Sequence, residues 1–196
     1  MMDTDRIEAF SDGVVAILIT IMVLELKVPH DASLGALGAM VPVLLSYLMS
    51  FIYLGIYWNN HHHLLAATDR INGGVLWANN HLLFWLSLVP FVTAWMDESH
   101  FAPVPTAMFG VVLFCAAIAY TILVRVIIAA EGGSNTRVAA AIGSDTKGNW
   151  SLVFYIAAIP LAFVNVLLAD MLYVAVALIW LVPDRRIERR LHEASS

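Results

Sequence analysis

Charge is scarce in this chain. Asp, Glu, Lys and Arg make up 13% of its 196 residues, about half of the ~25% usual in a soluble domain. With 61% hydrophobic residues as well, the composition is that of a membrane protein. Cysteine is scarcer still. Cys115 stands alone, so no intramolecular disulfide forms, and its apolar neighbours read it as a small buried hydrophobe. Basic residues are outnumbered, with a net charge of -5, which argues against the basic surface that nucleic acid requires. No charged residue stands at the centre of any apolar run, which disfavours a proton-coupled carrier. There is no Walker motif, dinucleotide glycine fingerprint, nucleophile elbow or H-E-x-x-H, so no enzyme is expected. There is also no T-V-G-Y-G filter. The acidic start, MMDTDRIEAFSDG, lacks the charge pattern and cleavage site of a signal peptide.

What is present is a series of long apolar runs. A helix needs about 20 mostly apolar residues to cross a bilayer core. Six stretches qualify or nearly so, at roughly 8–28, 36–58, 74–96, 104–130, 150–168 and 170–183. The runs are unbroken rather than alternating, so they read as helices and not as strands of a barrel. The expected fold is all-α, a single six-helix membrane domain over residues 1–196. The last two runs almost touch near Ala169 and Asp170 and are expected to form a tight antiparallel hairpin. Pro90 and Pro160 are expected to kink their spans.

Orientation follows from lysine and arginine. With six spans both termini share one side, and that side takes nine of the ten basic residues, leaving Lys27 alone opposite. Both termini are therefore expected in the cytoplasm. The other face carries Glu25, Asp31, Asp97, Glu98 and Asp170. Residues 131–149 read as a polar, Gly/Ser-rich connector. The tail DRRIERRLHEASS reads as a basic amphipathic stub at the interface.

Three constellations stand out. The first is RIEAFSDGVVAILITIMVLEL, Arg6 to Leu26. At about 100° per residue, Ile17, Ile21 and Leu24 share one helix face with Thr20 on its edge. This stripe lines a pore or packs on another helix. Asp12 points some 140° away from Ile17, so Ser11 and Asp12 are better placed to tie the helix to its neighbours. Arg6 falls nearly in line with Ile17, and helical geometry leaves its direction open. The second is Tyr57-Trp58-Asn59-Asn60-His61-His62-His63 at the cytoplasmic end of the second run. Adjacent histidines fan out and do not converge on one ion as i, i+4 pairs do, so a polar cluster is expected and no metal. The third is Asn79-Asn80-His81 in the third run. Its depth matches that of Ser11, Asp12 and the histidines, and polar groups at one depth can satisfy each other.

These residues resemble a known family. Arg6, Phe10, Ser11 and Asp12 spell R-x-x-x-F-S-D, followed by G-V-x-A-I. Trp58, Asn59, His61 and His62 form a Trp-Asn-x-His-His run, and the third span leads to Pro90-Phe91. The chain is similar to the bacterial branch of the transmembrane protein 175 family of potassium channels. The resemblance implies a homotetramer in the plasma membrane, in contact with its lipids, with the first helix of each subunit around a central pore. It implies a leak-type conductance permeable to potassium and no cofactor beyond the permeant ion. Ile17, Ile21 and Leu24 would form the apolar constriction and Thr20 a hydroxyl layer. Arg6, Phe10, Ser11 and Asp12 would hold the first helix, with Trp58, Asn59, His61, His62, Asn80 and His81 completing a structural polar network. The competing reading is a secondary or proton-linked cation transporter.

Overall fold

Hydrocarbon offers no water to unpaired backbone groups, so apolar runs of this length fold as helices. A computed structural model describes residues 4–29, 31–133, 138–139 and 145–181, and among these there is no strand. The helices are α1 (Thr4–Leu24), α2 (Leu34–Ala39), α3 (Val41–Ala66), α4 (Gly73–Ser87), α5 (Val89–Glu98), α6 (Pro103–Glu131), α7 (Thr146–Leu161) and α8 (Val166–Leu181). Four rods are long and apolar enough to cross a membrane: Thr4–Leu24, Val41–Ala66, Gly73–Glu98 and Pro103–Glu131. The helices α7 and α8 have 16 residues each. At helical rise that is about 24 Å, short of the ~30 Å hydrocarbon core. The basic residues Arg137, Arg185, Arg186, Arg189 and Arg190, and the tail beyond Leu181, lie outside the described residues.

Several boundaries differ from those expected, for local reasons. The second run is two helices. Pro42 occupies the first turn of α3, where its missing N–H costs nothing, and the chain breaks at Met40 before it. The short α2 is capped by Ser33, whose Oγ accepts from the Ala36 N–H at 3.2 Å. At its other end α3 continues to Ala66, so the whole Trp58–His63 run is helical. The third run is interrupted at Leu88, with Pro90 in the first turn of α5. The final reversal is not at Ala169–Asp170. Pro160 closes α7, and Asn165 starts α8 by accepting from the Leu168 N–H at 3.3 Å. Asp170 therefore sits a full turn inside α8, not in a loop. Asp145 caps α7 by accepting from the Gly148 N–H at 2.8 Å. Gly132, in the left-handed region at φ 114°, ends α6.

The long α6 is the axle of the bundle and packs against α4, α5, α7 and α8. Next to it α3 contacts α1, α5 and α8, while α1 lies outside against α3, α4 and α5. Where α3, α6, α7 and α8 meet, Tyr53, Phe109, Tyr155 and Tyr173 form an aromatic knot. Phe109 and Tyr173 sit edge to face at 5.5 Å between centroids. The Tyr53 hydroxyl donates to the Tyr173 carbonyl at 2.6 Å, and the Tyr173 hydroxyl donates to the Thr106 carbonyl at 3.1 Å. Beyond the knot, the Ser50 and Thr93 hydroxyls meet at 2.7 Å, joining α3 to α5. Lys27 and Glu98 pair at 2.9 Å. That hydrogen bond raises the Lys27 pKa, but both groups are exposed, so the pair adds little to stability.

Gly110 makes the knot possible, because a Cβ at that position would strike the Tyr173 hydroxyl. Gly110→Ala is expected to destabilise the fold by about 1–3 kcal/mol through overpacking, read as a lowered midpoint of thermal unfolding in detergent. An unchanged midpoint would show that the knot yields to the extra methyl.

Candidate functional site

The first helix has two apolar faces with different surroundings. One is a buried seam of Ile7, Ser11, Val15, Leu18 and Met22. The other carries Phe10, Ile17, Ile21 and Leu24, which are 57%, 58%, 41% and 80% exposed in a single copy. The two faces lie about 110° apart by helical arithmetic. Thr20 is on the exposed side, and its hydroxyl donates back to the Ile17 carbonyl at 2.8 Å.

The buried seam is interrupted by one polar residue, Ser11, and a relay of hydrogen bonds is built on it. The Ser11 hydroxyl donates to the Ile7 carbonyl at 2.8 Å. Its lone pair then accepts from Asn79 Nδ2 at 3.0 Å. Asn79 Oδ1 faces His61 Nε2 at 2.6 Å. An amide oxygen only accepts, so this network puts the His61 proton on Nε2. All three side chains are buried. The relay joins α1, α4 and α3 through groups that each have a partner.

A second contact lies beside it. Trp58 Nε1 donates to Asp12 Oδ1 at 2.9 Å. The Trp58 ring stacks on His62, with 22° between planes, and His62 Nδ1 donates to Glu8 Oε1 at 2.6 Å. Glu8 and Asp12 are four residues apart on α1. Trp58 and His62 are four apart on α3. Such pairs face the same way on a helix, so two acceptors meet two donors side by side.

The structure thus brings together Ser11, Asp12, Trp58, His61 and His62. It does not bring in the rest of the expected network. Arg6 and Phe10 are exposed on the side of the apolar stripe, and Asn59 is exposed on α3. Asn80 and His81 are also exposed. His81 only accepts from Trp85 Nε1 at 3.0 Å, one turn along its own helix. The reason is angular. The buried side of α4 is Val75, Ala78, Asn79, Leu82, Leu83 and Leu86, and Asn80 lies about 100° beyond Asn79. Asn79 holds the central place instead. Glu8 was hidden in the acidic start of the chain, although its spacing from Asp12 matches that of Trp58 and His62. The adjacent histidines diverge, with His61 turned to Asn79 and His62 to Glu8.

An all-helical chain with four membrane-length apolar rods and an interhelical polar network is a multi-pass membrane protein. Residues 6–90, which contain every member of that network, match the family profile described as "Endosomal/lysosomal potassium channel TMEM175". A Chryseobacterium protein named as a potassium channel is 54% identical over 98% of this chain and 100% of its own length. A Streptomyces collinus protein, also named as a potassium channel, is 35% identical over 63% of this chain and 64% of its own. The crystal structure described as a lysosomal potassium-selective channel TMEM175 homolog from Chamaesiphon minutus superposes with a TM-score of 0.77 at 28% identity, covering 91% of this chain and 96% of that one. The chain belongs to the TMEM175 family.

The relay separates two neighbouring amides by experiment. Asn79→Ala strands the Ser11 acceptor and the His61 donor, and should cost about 1–3 kcal/mol of stability. Asn80→Ala should stay within about 0.5 kcal/mol. Equilibrium unfolding in mixed detergent measures both, and equal effects would refute this assignment of roles.

Proposed function

We propose that the chain is a potassium-permeable channel of the leak type. One observation carries this reading beyond family membership: α1 presents an uncovered apolar stripe, Ile17, Ile21 and Leu24, on the side away from its polar ties. In this reading four copies assemble, and α1 of each faces a common axis. Six crossings per copy, by α1, α3, α4 with α5, α6, α7 and α8, form one membrane domain. Both termini then lie on the cytoplasmic side of the plasma membrane. Conduction requires no cofactor.

The physics of such a pore follows from the stripe. From Ile17 to Leu24 is about 10 Å along the helix. A narrow apolar neck of that length tends to dewet and close. Opening it requires α1 to tilt or rotate. Thr20, on the edge of the stripe, supplies a ring of hydroxyls once it releases the Ile17 carbonyl.

Reconstitution into liposomes tests the reading. A reversal potential displaced toward the potassium equilibrium value over sodium supports it. Saturable flux driven by a pH gradient would return the proton-linked transporter. Ile17→Asn should wet the neck and increase potassium flux several-fold or relax the preference over sodium; a variant with unaltered conductance and selectivity would remove Ile17 from the neck. Asp12→Ala should reduce the yield of assembled oligomer on size exclusion more than it alters selectivity. Normal assembly with altered selectivity would place Asp12 in the ion path.

A further inference from the structure

On the far side of α3 from α1, the bundle leaves an apolar groove against α8. Its volume is about 750 Å³, and its walls include Leu45, Met49 and Ile52 on α3 and Val174 and Leu178 on α8. It follows α8 from Val166 to Leu181, about 22 Å at helical rise. The stretch from Asp170 to Leu181 is about 16 Å of that, half of the ~30 Å hydrocarbon core.

Asp170 stands in the wall of this groove. Its Oδ1 is buried without a hydrogen-bond partner among the described residues. Asp170 as a whole is half-buried, and a carboxylate in an apolar wall whose buried oxygen has no donor calls for one. The surrounding groups do not supply it. Ser46, across the groove, meets the Asp97 carboxylate at 2.5 Å. The Tyr173 hydroxyl, on the next turn of α8, is given to the Thr106 carbonyl. His100, at the groove mouth, makes no side-chain hydrogen bond to Asp170. The one lysine or arginine on this side of the membrane, Lys27, is paired with Glu98, so a second copy brings no spare lysine or arginine.

We infer that the groove between α3 and α8 holds a phospholipid with a primary-amine headgroup, its acyl chain on the apolar walls and its ammonium on Asp170. Phosphatidylethanolamine has this chemistry. Phosphatidylcholine carries a cation without an N–H donor, and phosphatidylglycerol carries no cation. The inference rests on the six-crossing topology but not on potassium conduction, so its outcome is independent of the flux measurements.

The test uses the full chain equilibrated with vesicles of equal parts phosphatidylethanolamine, phosphatidylcholine and phosphatidylglycerol. The protein is extracted in mild detergent, and retained lipid is quantified by mass spectrometry. The unaltered protein should retain at least threefold more phosphatidylethanolamine than phosphatidylcholine. Asp170→Asn, which keeps the shape and removes the charge, should bring that ratio close to one. Val174→Trp, which fills the groove, should lower the retention of every lipid. Equal retention of the two lipids by the unaltered protein, or an undiminished ratio in Asp170→Asn, would overturn the inference.

Discussion

The membrane interior requires each polar group on a helix to find its partner inside the protein. In this chain that requirement acts most sharply at Ser11. Its single proton goes to the Ile7 carbonyl, which leaves the oxygen as an acceptor. Only a donor can complete it, and Asn79 does so. The amide oxygen of Asn79 then demands an N–H, which His61 supplies. Each step dictates the next, so three helices are held in one relative rotation. Glu8 and Asp12 repeat the arrangement on a flank of α1, against Trp58 and His62.

These ties are unevenly distributed along α1. The side-chain hydrogen bonds of Glu8, Ser11 and Asp12 to other helices all lie in the N-terminal half of α1. Beyond Asp12 the helix is held by apolar packing of Val15, Leu18 and Met22. Past its end, among the described residues, the exposed Lys27–Glu98 pair reaches another helix. The rest of the bundle is fixed more evenly, with the tyrosine knot around α6 near the middle and the Ser50–Thr93 contact farther out. The stripe of Ile17, Ile21 and Leu24 therefore lies on the segment of α1 with the fewest directional restraints.

Much of this was legible in the sequence. Long apolar runs reveal where helices lie, because hydrocarbon selects for length and composition. They do not reveal where helices end. Asp145 and Asn165 are ordinary polar residues until their oxygens are seen closing the first turns of α7 and α8. Hydropathy drops at Trp58–His63 as at the end of a span, yet the helix continues, and Trp58, Asn60, His61 and His62 find partners there. Asn79 and Asn80 are identical by composition. Helical spacing alone separates them, because Val75, Ala78, Leu82 and Leu86 define a face that includes the first and excludes the second. Asp170 was misplaced for a related reason: a carboxylate between two apolar runs reads as a loop, and the cap that displaces the loop to Ala162–Asn165 is a single amide.

Polar contacts between membrane helices are weak, about 0.6 kcal/mol on average in one well-measured case. Stability alone is a poor explanation for so many of them on α1. The two faces of this helix are chemically alike. Ile7, Val15, Leu18 and Met22 on one side, and Phe10, Ile17, Ile21 and Leu24 on the other, would each pack acceptably against neighbouring helices. Apolar burial cannot tell which face belongs inside, and in a bilayer there is little hydrophobic preference to decide between them. A serine and two acids placed on one side remove that ambiguity, because rotating α1 by about 100° would strand the buried Asn79 and also Trp58 and His62. Specificity of this kind is the best-attested use of polar groups in apolar interfaces. Here it determines which apolar face is left uncovered.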